Sequence, residues 1–138
     1  MHYTAKLTKE KDGGYSVEFP DLDGCFTQGE TLDEALERAK EAMELTLEDV
    51  FDGRPLPEYR TRENPSRGLY RVDVTPSLSV ALQIAVARGR VPQAVMARDM
   101  GMTPQAYMRL EDPKSNLSVK MLERFAKAVG KRLVITFE

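Results

Sequence analysis

One cysteine, one histidine and no long apolar run mark this 138-residue chain. A lone Cys25 excludes an internal disulfide and a cysteine-held metal cluster, and its place in an alternating segment makes it a packing residue rather than a reactive thiol. With His2 the only histidine, near the N-terminus, no catalytic triad or histidine metal site can be assembled. No apolar stretch approaches the ~18 residues of a membrane-spanning helix, and Met1-His2-Tyr3-Thr4 lacks the basic-then-apolar pattern of a secretory signal. These absences predict a soluble cytoplasmic protein with no metal and no cofactor. What the chain does have, 41% hydrophobic and 30% charged residues, suffices for a packed core.

The first thirty residues alternate apolar and polar, as half-buried strands do. Tyr3, Ala5 and Leu7 share one face, with Thr4, Lys6 and Thr8 opposite. Asp12-Gly13-Gly14 supplies a tight hairpin, Tyr15, Val17 and Phe19 share a face of a second strand, and Cys25–Gln28 reads as a third. Thr31-Leu32-Asp33-Glu34 has the spacing of a capping box. Behind it Leu32, Leu36, Ala39, Met43, Leu47 and Val50 form one helical stripe, which Gly53 ends before Pro55 and Pro57. The opposite face is acidic: Asp33, Glu37, Glu41, Glu44 and Glu48, with Glu34–Arg38 and Lys40–Glu44 offsetting part of the repulsion. After a polar loop from Arg54 to Gly68, alternation resumes over Leu69–Thr75 and predicts a fourth strand beside the first three. The helix then covers one face of the sheet.

From Pro76 onward the pattern is helical, over 77–88, 92–100, 104–111 and 118–129, and Leu78, Leu82, Ala85 and Val86 make the apolar face of the first. The most specific local signal lies between Val91 and Glu111. Ala97 is small, Gly101 follows four residues later, Thr103-Pro104 pairs an N-cap with proline at the first helical position, and Tyr107 and Leu110 point back to a core. Two helices crossing closely over a tight turn need these residues at these intervals, which is the logic of a helix-turn-helix. Arg132–Phe137, rich in β-branched and apolar residues, reads as a C-terminal strand.

Charge divides the same way. Residues 1–76 carry 10 Lys+Arg against 17 Asp+Glu, a net of −7, and residues 77–138 carry 10 against 5, a net of +5. Two halves with different partners are expected.

The helix-turn-helix resembles those of the phage-repressor and XRE type. By position, the resemblance makes Thr103 to Glu111 the recognition helix. Gln105 and Arg109 lie four apart on its outward face, where Gln pairs with adenine and Arg with guanine. Met108 stands where such families often keep a polar base reader, which implies apolar readout or none there. Pro104 replaces a common glutamine. Gln93, Lys114, Ser115 and Asn116 suit phosphate contacts, and Thr103 heads the helix. The segment Phe19-Pro-Asp-Leu-Asp-Gly-Cys-Phe-Thr-Gln-Gly-Glu-Thr-Leu-Asp-Glu-Ala-Leu36, with Gly13-Gly14-Tyr15 before it, resembles the HicB antitoxin family. That resemblance implies an α+β fold. A partial ribonuclease-H-like βββαβ toxin-binding domain over residues 1–76 precedes an all-α helix-turn-helix domain over 77–138, which binds DNA, dimerises and ends in a C-terminal strand. It also implies a HicA-like partner toxin, an mRNA-cleaving ribonuclease, which the acidic face Asp33, Glu37, Glu41, Glu44 and Glu48 would steer, and double-stranded operator DNA as the second partner.

No enzyme is expected. Metal-dependent nuclease chemistry needs converging carboxylates; the strand Tyr3–Thr8 has none, and Asp21 and Asp23 occupy a turn that aspartate favours for structural reasons. The rival readings are a stand-alone regulator whose N-terminal domain senses a small ligand, and a degenerate nuclease. Pairing of Leu133, Val134, Ile135 and Phe137 with a second copy predicts a homodimer, or a tetramer if the N-terminal domains add a contact. Its recognition helices would meet major grooves about 34–36 Å apart.

Overall fold

The computed structural model describes residues 1–138 as two compact units, Met1–Pro76 and Ser77–Glu138. The first is a four-stranded antiparallel sheet in the order β3-β2-β1-β4, with β1 His2–Lys9, β2 Tyr15–Glu18, β3 Phe26–Gly29 and β4 Leu69–Asp73. Register sets Leu7 opposite Val17 and Tyr3 opposite Val72, so the apolar alternation of each strand falls on one face. Helix α1, Leu32–Leu47, covers that face, packing on β3, β2 and β4. The core between them contains Tyr3, Ala5, Leu7, Val17, Phe19, Ala39, Met43, Leu47 and Val72. Cys25 is buried, as its place in the alternation requires. The helix lies so close to β3 that a Cβ on Gly29 would stand 2.5 Å from the Ala35 amide nitrogen. Only glycine fits there.

Several local readings are refined. Thr31 Oγ1 accepts the Glu34 amide at 3.1 Å, but the Glu34 carboxylate pairs with Arg38 at 3.1 Å, so only half of the capping box forms. The α-helix stops at Leu47; Glu48–Asp52 tighten into a 3₁₀ turn that Gly53 closes with φ 94°. Leu32 and Leu36 sit at the edge of the stripe, and Ala35 lies at its centre. Thr4, on the polar side of the alternation, is nevertheless buried, and its hydroxyl finds no hydrogen-bond partner. His2 belongs to β1 opposite Asp73, with its ring 4.7 Å from that of Tyr59.

The long loop is tied down at two points. The Tyr3 hydroxyl donates to the Pro57 carbonyl at 2.6 Å. The Asp21 carboxylate accepts the Arg60 and Thr61 amides, each at 2.8 Å, and the Thr61 hydroxyl at 2.9 Å. Partial burial works against ionisation of Asp21, but these donors outweigh it and hold the carboxyl below its ordinary value of 3.8. A depressed carboxylate stabilises the fold above its unfolded pKa and loses that contribution as pH falls through the folded one, so the loop should loosen only in strong acid. Asp21→Asn removes the charge at every pH. Limited trypsinolysis should then cut faster after Arg60 and Arg62; an unchanged cleavage rate would show that the loop is held by other contacts.

The second unit is helical: α2 Pro76–Arg88, α3 Gln93–Asp99, α4 Pro104–Met108 with a 3₁₀ turn Arg109–Glu111, and α5 Val119–Ala128. Ile84, Met96, Ala97, Met100, Tyr107, Leu110 and Phe125 form one buried cluster. Helix α2 is apolar almost all round, so its sequence does not declare a single stripe; Ala81 and Ile84 are buried and Val86 is 47% exposed. The C-terminal strand is not present within the chain. Arg132–Phe137 has no regular structure and joins none of the three ladders, because propensity alone cannot make a strand without a neighbour to receive its backbone hydrogen bonds. No helix is long and apolar enough to cross a membrane.

Candidate functional site

Helices α3 and α4 meet over a four-residue turn, 100–103, whose geometry follows from its residues. Gly101 takes φ 67°, its amide reaches the Arg98 carbonyl at 3.0 Å, and the Met102 amide reaches the Ala97 carbonyl at 2.9 Å. A glycine in the left-handed region thereby satisfies the last carbonyls of α3. Ala97 is 0% exposed, so its small side chain lets the helices approach. Thr103 caps α4, its hydroxyl accepting the Ala106 amide at 3.1 Å; such a cap contributes about 1 kcal/mol. Tyr107 and Leu110 are fully buried beneath, which turns Gln105, Met108 and Arg109 to solvent.

The group that fixes this arrangement is not legible locally. Arg88, at the end of α2, forks onto Glu111 after α4, with Nε to Oε2 at 2.7 Å and Nη2 to Oε1 at 2.9 Å. Its Nη1 donates to the Val91 carbonyl at 2.8 Å, which holds the α2–α3 turn. Gln93 Nε2 donates to Glu111 Oε1 at 3.2 Å. Gln93 is therefore partly committed inside the unit rather than presented whole to a phosphate. Burial works against the charge on Glu111, but the Arg88 fork outweighs it and lowers the pKa below the ordinary 4.5. Burial, with the Glu111 charge nearby, pushes the Tyr107 phenol up. Arg124 Nη2 reaches the Met100 carbonyl at 2.6 Å and ties α5 to the end of α3.

Beyond α4, the loop 112–117 is shaped by Asp112, whose carboxylate accepts the Lys114 amide at 2.9 Å and whose carbonyl accepts the Ser115 amide at 3.1 Å. Lys114 and Asn116 are exposed and Ser115 is half-buried. The structure thus brings Gln105, Met108, Arg109, Lys114 and Asn116 to the exposed surface around α4, while Thr103 and Gln93 spend side-chain groups on the scaffold.

On the first unit, Asp33, Glu37 and Glu41 lie exposed along α1, and Glu48 lies exposed in the 3₁₀ turn that follows it. Glu44 does not join them. Its carboxylate accepts the Thr75 amide at 2.9 Å and hydroxyl at 3.1 Å, so it fastens the segment after β4 to the helix in place of pairing with Lys40. Four acidic residues, not five, face outward on this stripe.

The family model described as HicB_like antitoxin of bacterial toxin-antitoxin system matches residues 3–66. Antitoxin HicB of Escherichia coli strain K12 is 31% identical over 133 residues, covering 96% of each chain. Antitoxin HicB 1 of Photorhabdus laumondii is 32% identical over 145 aligned positions, covering 100% of this chain and 88% of the relative. Among solved structures, a chain of a HicA3 and HicB3 toxin-antitoxin complex aligns with a TM-score of 0.44 and 30% identity, over 55% of this chain and 100% of its own length. The curated matches run through both compact units, and on that full-length similarity the chain belongs to the HicB antitoxin family.

Proposed function

We propose that this chain is a non-catalytic antitoxin: its first unit binds and silences a basic, HicA-like mRNA-cleaving toxin, and its second represses the operon encoding both. The βββαβ first unit takes the part of the partial ribonuclease-H-like domain that binds toxin, and α3–turn–α4 that of a helix-turn-helix. The DNA reading is carried by one observation: a capped short helix held over a glycine turn with Gln105, Met108 and Arg109 outward, on a unit whose net charge is +5. Gln105 and Arg109 read base edges, Met108 makes apolar contact, and Lys114, Ser115 and Asn116 hold phosphates, with Thr103 and the remaining amide capacity of Gln93 at the edge of that surface. Family membership and the outward row Asp33, Glu37, Glu41 and Glu48 support the toxin reading, since a ribonuclease that binds RNA needs a basic surface.

Co-expression with the adjacent reading frame tests the whole proposal. A short basic product should arrest growth alone and co-purify harmlessly with this chain. Failure of rescue, or no such frame, would favour a ligand-sensing regulator. Binding to the upstream DNA tests the second unit. Arg109→Ala should cost ~1–3 kcal/mol and relax preference at one base pair. Lys114→Ala should instead weaken all sequences alike and lower the salt slope by about one. Equal effects of the two variants on specific and random DNA would refute the division between base and phosphate contacts.

A further inference from the structure

The open sheet of the first unit has two edges, and they differ. β4 is bridged at one end by Asn64 and carries Arg71 and Asp73, charges of the kind that blunt an edge. β3 has no lysine, no proline and no bulge, and its length of four residues is its only guard. One hydrogen bond fixes which way its backbone points. The Phe19 amide donates to the Cys25 carbonyl at 3.2 Å, so this opposed pair is of the bonded kind. Bonded and non-bonded pairs alternate along an antiparallel ladder. Val17–Thr27 and Tyr15–Gly29 are then bonded, and Glu18–Phe26 and Ser16–Gln28 are not. The N–H and C=O groups of Phe26 and Gln28 therefore point away from β2. β3 is the last strand of the sheet, and no loop or cap bonds to these four groups.

Thr27 lies opposite the core residue Val17, so Thr27 and Gly29 face α1 while Phe26 and Gln28 take the opposite face. Phe26 is 67% exposed there. On the helix side Leu45 is 69% exposed, two turns along α1 from Arg38 and on the same flank. At the Gly29 end of the edge opens a recess of about 320 Å³, lined in part by Gln28, Glu10, Glu30, Glu34 and Arg38. Its one cation, Arg38, is already paired with Glu34, while Glu10 and Glu30 have no ion-pair partner. The recess keeps a negative excess.

We infer that the β3 edge receives an extended segment of the basic toxin as a fifth strand. Apolar side chains of that segment cover Phe26 on one face and Leu45 on the other, and a lysine or arginine enters the recess beside Glu10 and Glu30. The inference rests on the toxin reading above. Unpaired donors and acceptors in a row select another backbone, the bare Phe26 selects apolar side chains, and the carboxylates select a cation. The row Asp33, Glu37, Glu41 and Glu48 has a different task, because its field draws a basic partner in without touching it.

Hydrogen exchange in the complex with the basic product of the adjacent reading frame reads this ladder residue by residue. In the free chain the Thr27 and Gly29 amides should be protected and those of Phe26 and Gln28 open. Complex formation should slow exchange at Phe26 and Gln28 about tenfold or more. Gln28→Pro removes an outward N–H and spares the β2–β3 ladder, as proline does on an edge. It should weaken toxin binding about tenfold with the circular dichroism unchanged. Gln28→Ala keeps the N–H and should bind within about twofold of the parent chain. Should Gln28→Pro lose its fold, exchange at the two amides in the unsubstituted complex decides alone. A complex in which both amides still exchange freely would overturn the docking and leave the toxin reading standing. Equal losses in Gln28→Pro and Gln28→Ala would assign the contact to the side chain and overturn the ladder. If the unsubstituted chain forms no complex, the toxin reading falls and this docking with it.

Discussion

Replacing Arg88 with alanine should unfold the helical half of the chain and leave the N-terminal sheet standing. The guanidinium meets Glu111 through two hydrogen bonds, and the side chains are only 16% and 4% exposed. Removing the cation leaves a carboxylate buried without its partner, which costs about 3–5 kcal/mol. At about 0.05–0.15 kcal/mol per residue, a unit the size of Ser77–Glu138 has roughly 3–9 kcal/mol in total. The loss is comparable to the whole. Hydrogen exchange should show protection vanishing from α2 to α5 while β1 to β4 keep theirs, and operator binding should go with it. The charge itself is replaceable: Arg88→Met with Glu111→Leu should recover most of the stability, since well-packed apolar pairs often match buried ion pairs. Retained protection in Arg88→Ala would show that water reaches Glu111 and that the fork contributes little. Acid should produce a milder version of the same loss. With its pKa lowered in the fold from 4.5, Glu111 contributes fully above that value and progressively less as pH falls through the folded one.

That fork also marks where the sequence stops being readable. Ala97, Gly101, Thr103 and Tyr107 announce the α3–α4 turn because each acts within a few residues of itself: a small side chain at a crossing, a positive φ, a cap and an anchor. The strands of the first unit are legible for the same reason, since alternation is a local property and register follows from it. Arg88 and Glu111 are 23 residues apart, Glu44 and Thr75 31, and Asp21 and Thr61 40. Nothing in the local pattern of either partner names the other. Glu44 has the same spacing as its acidic neighbours and differs only because the chain after β4 returns to it. Val86 was indistinguishable from Ile84 within a helix apolar on nearly every side. Arg132–Phe137 shows the opposite failure. Its β propensity is plain, but a strand is a relation between two segments, and one chain supplies only one of them.

Charge reversal on α1 and at Glu48, just past its end, should separate the two proposed activities. Glu37→Lys, Glu41→Lys and Glu48→Lys together change the outward face of the first unit by six charges. A basic partner steered by that face should associate about ten- to a hundred-fold more slowly at low salt, and the deficit should shrink as ionic strength rises and the Debye length falls to about 8 Å near physiological salt. Glu44 stays unchanged because its bonds to Thr75 would be lost, and a folding defect would then mimic a binding defect. The three chosen positions are exposed and lie off the buried stripe Ala35, Ala39, Met43 and Leu47, so stability should move by no more than about 0.5 kcal/mol. The second unit keeps its own core and its own charge, so operator binding by the triple variant should match that of the parent protein. Stopped-flow association with the toxin across a salt series provides the measurement. An unchanged rate at low salt would place the toxin on another face of the sheet domain. A parallel loss of operator affinity, with the fold intact by circular dichroism, would mean that the two units do not divide the work at all.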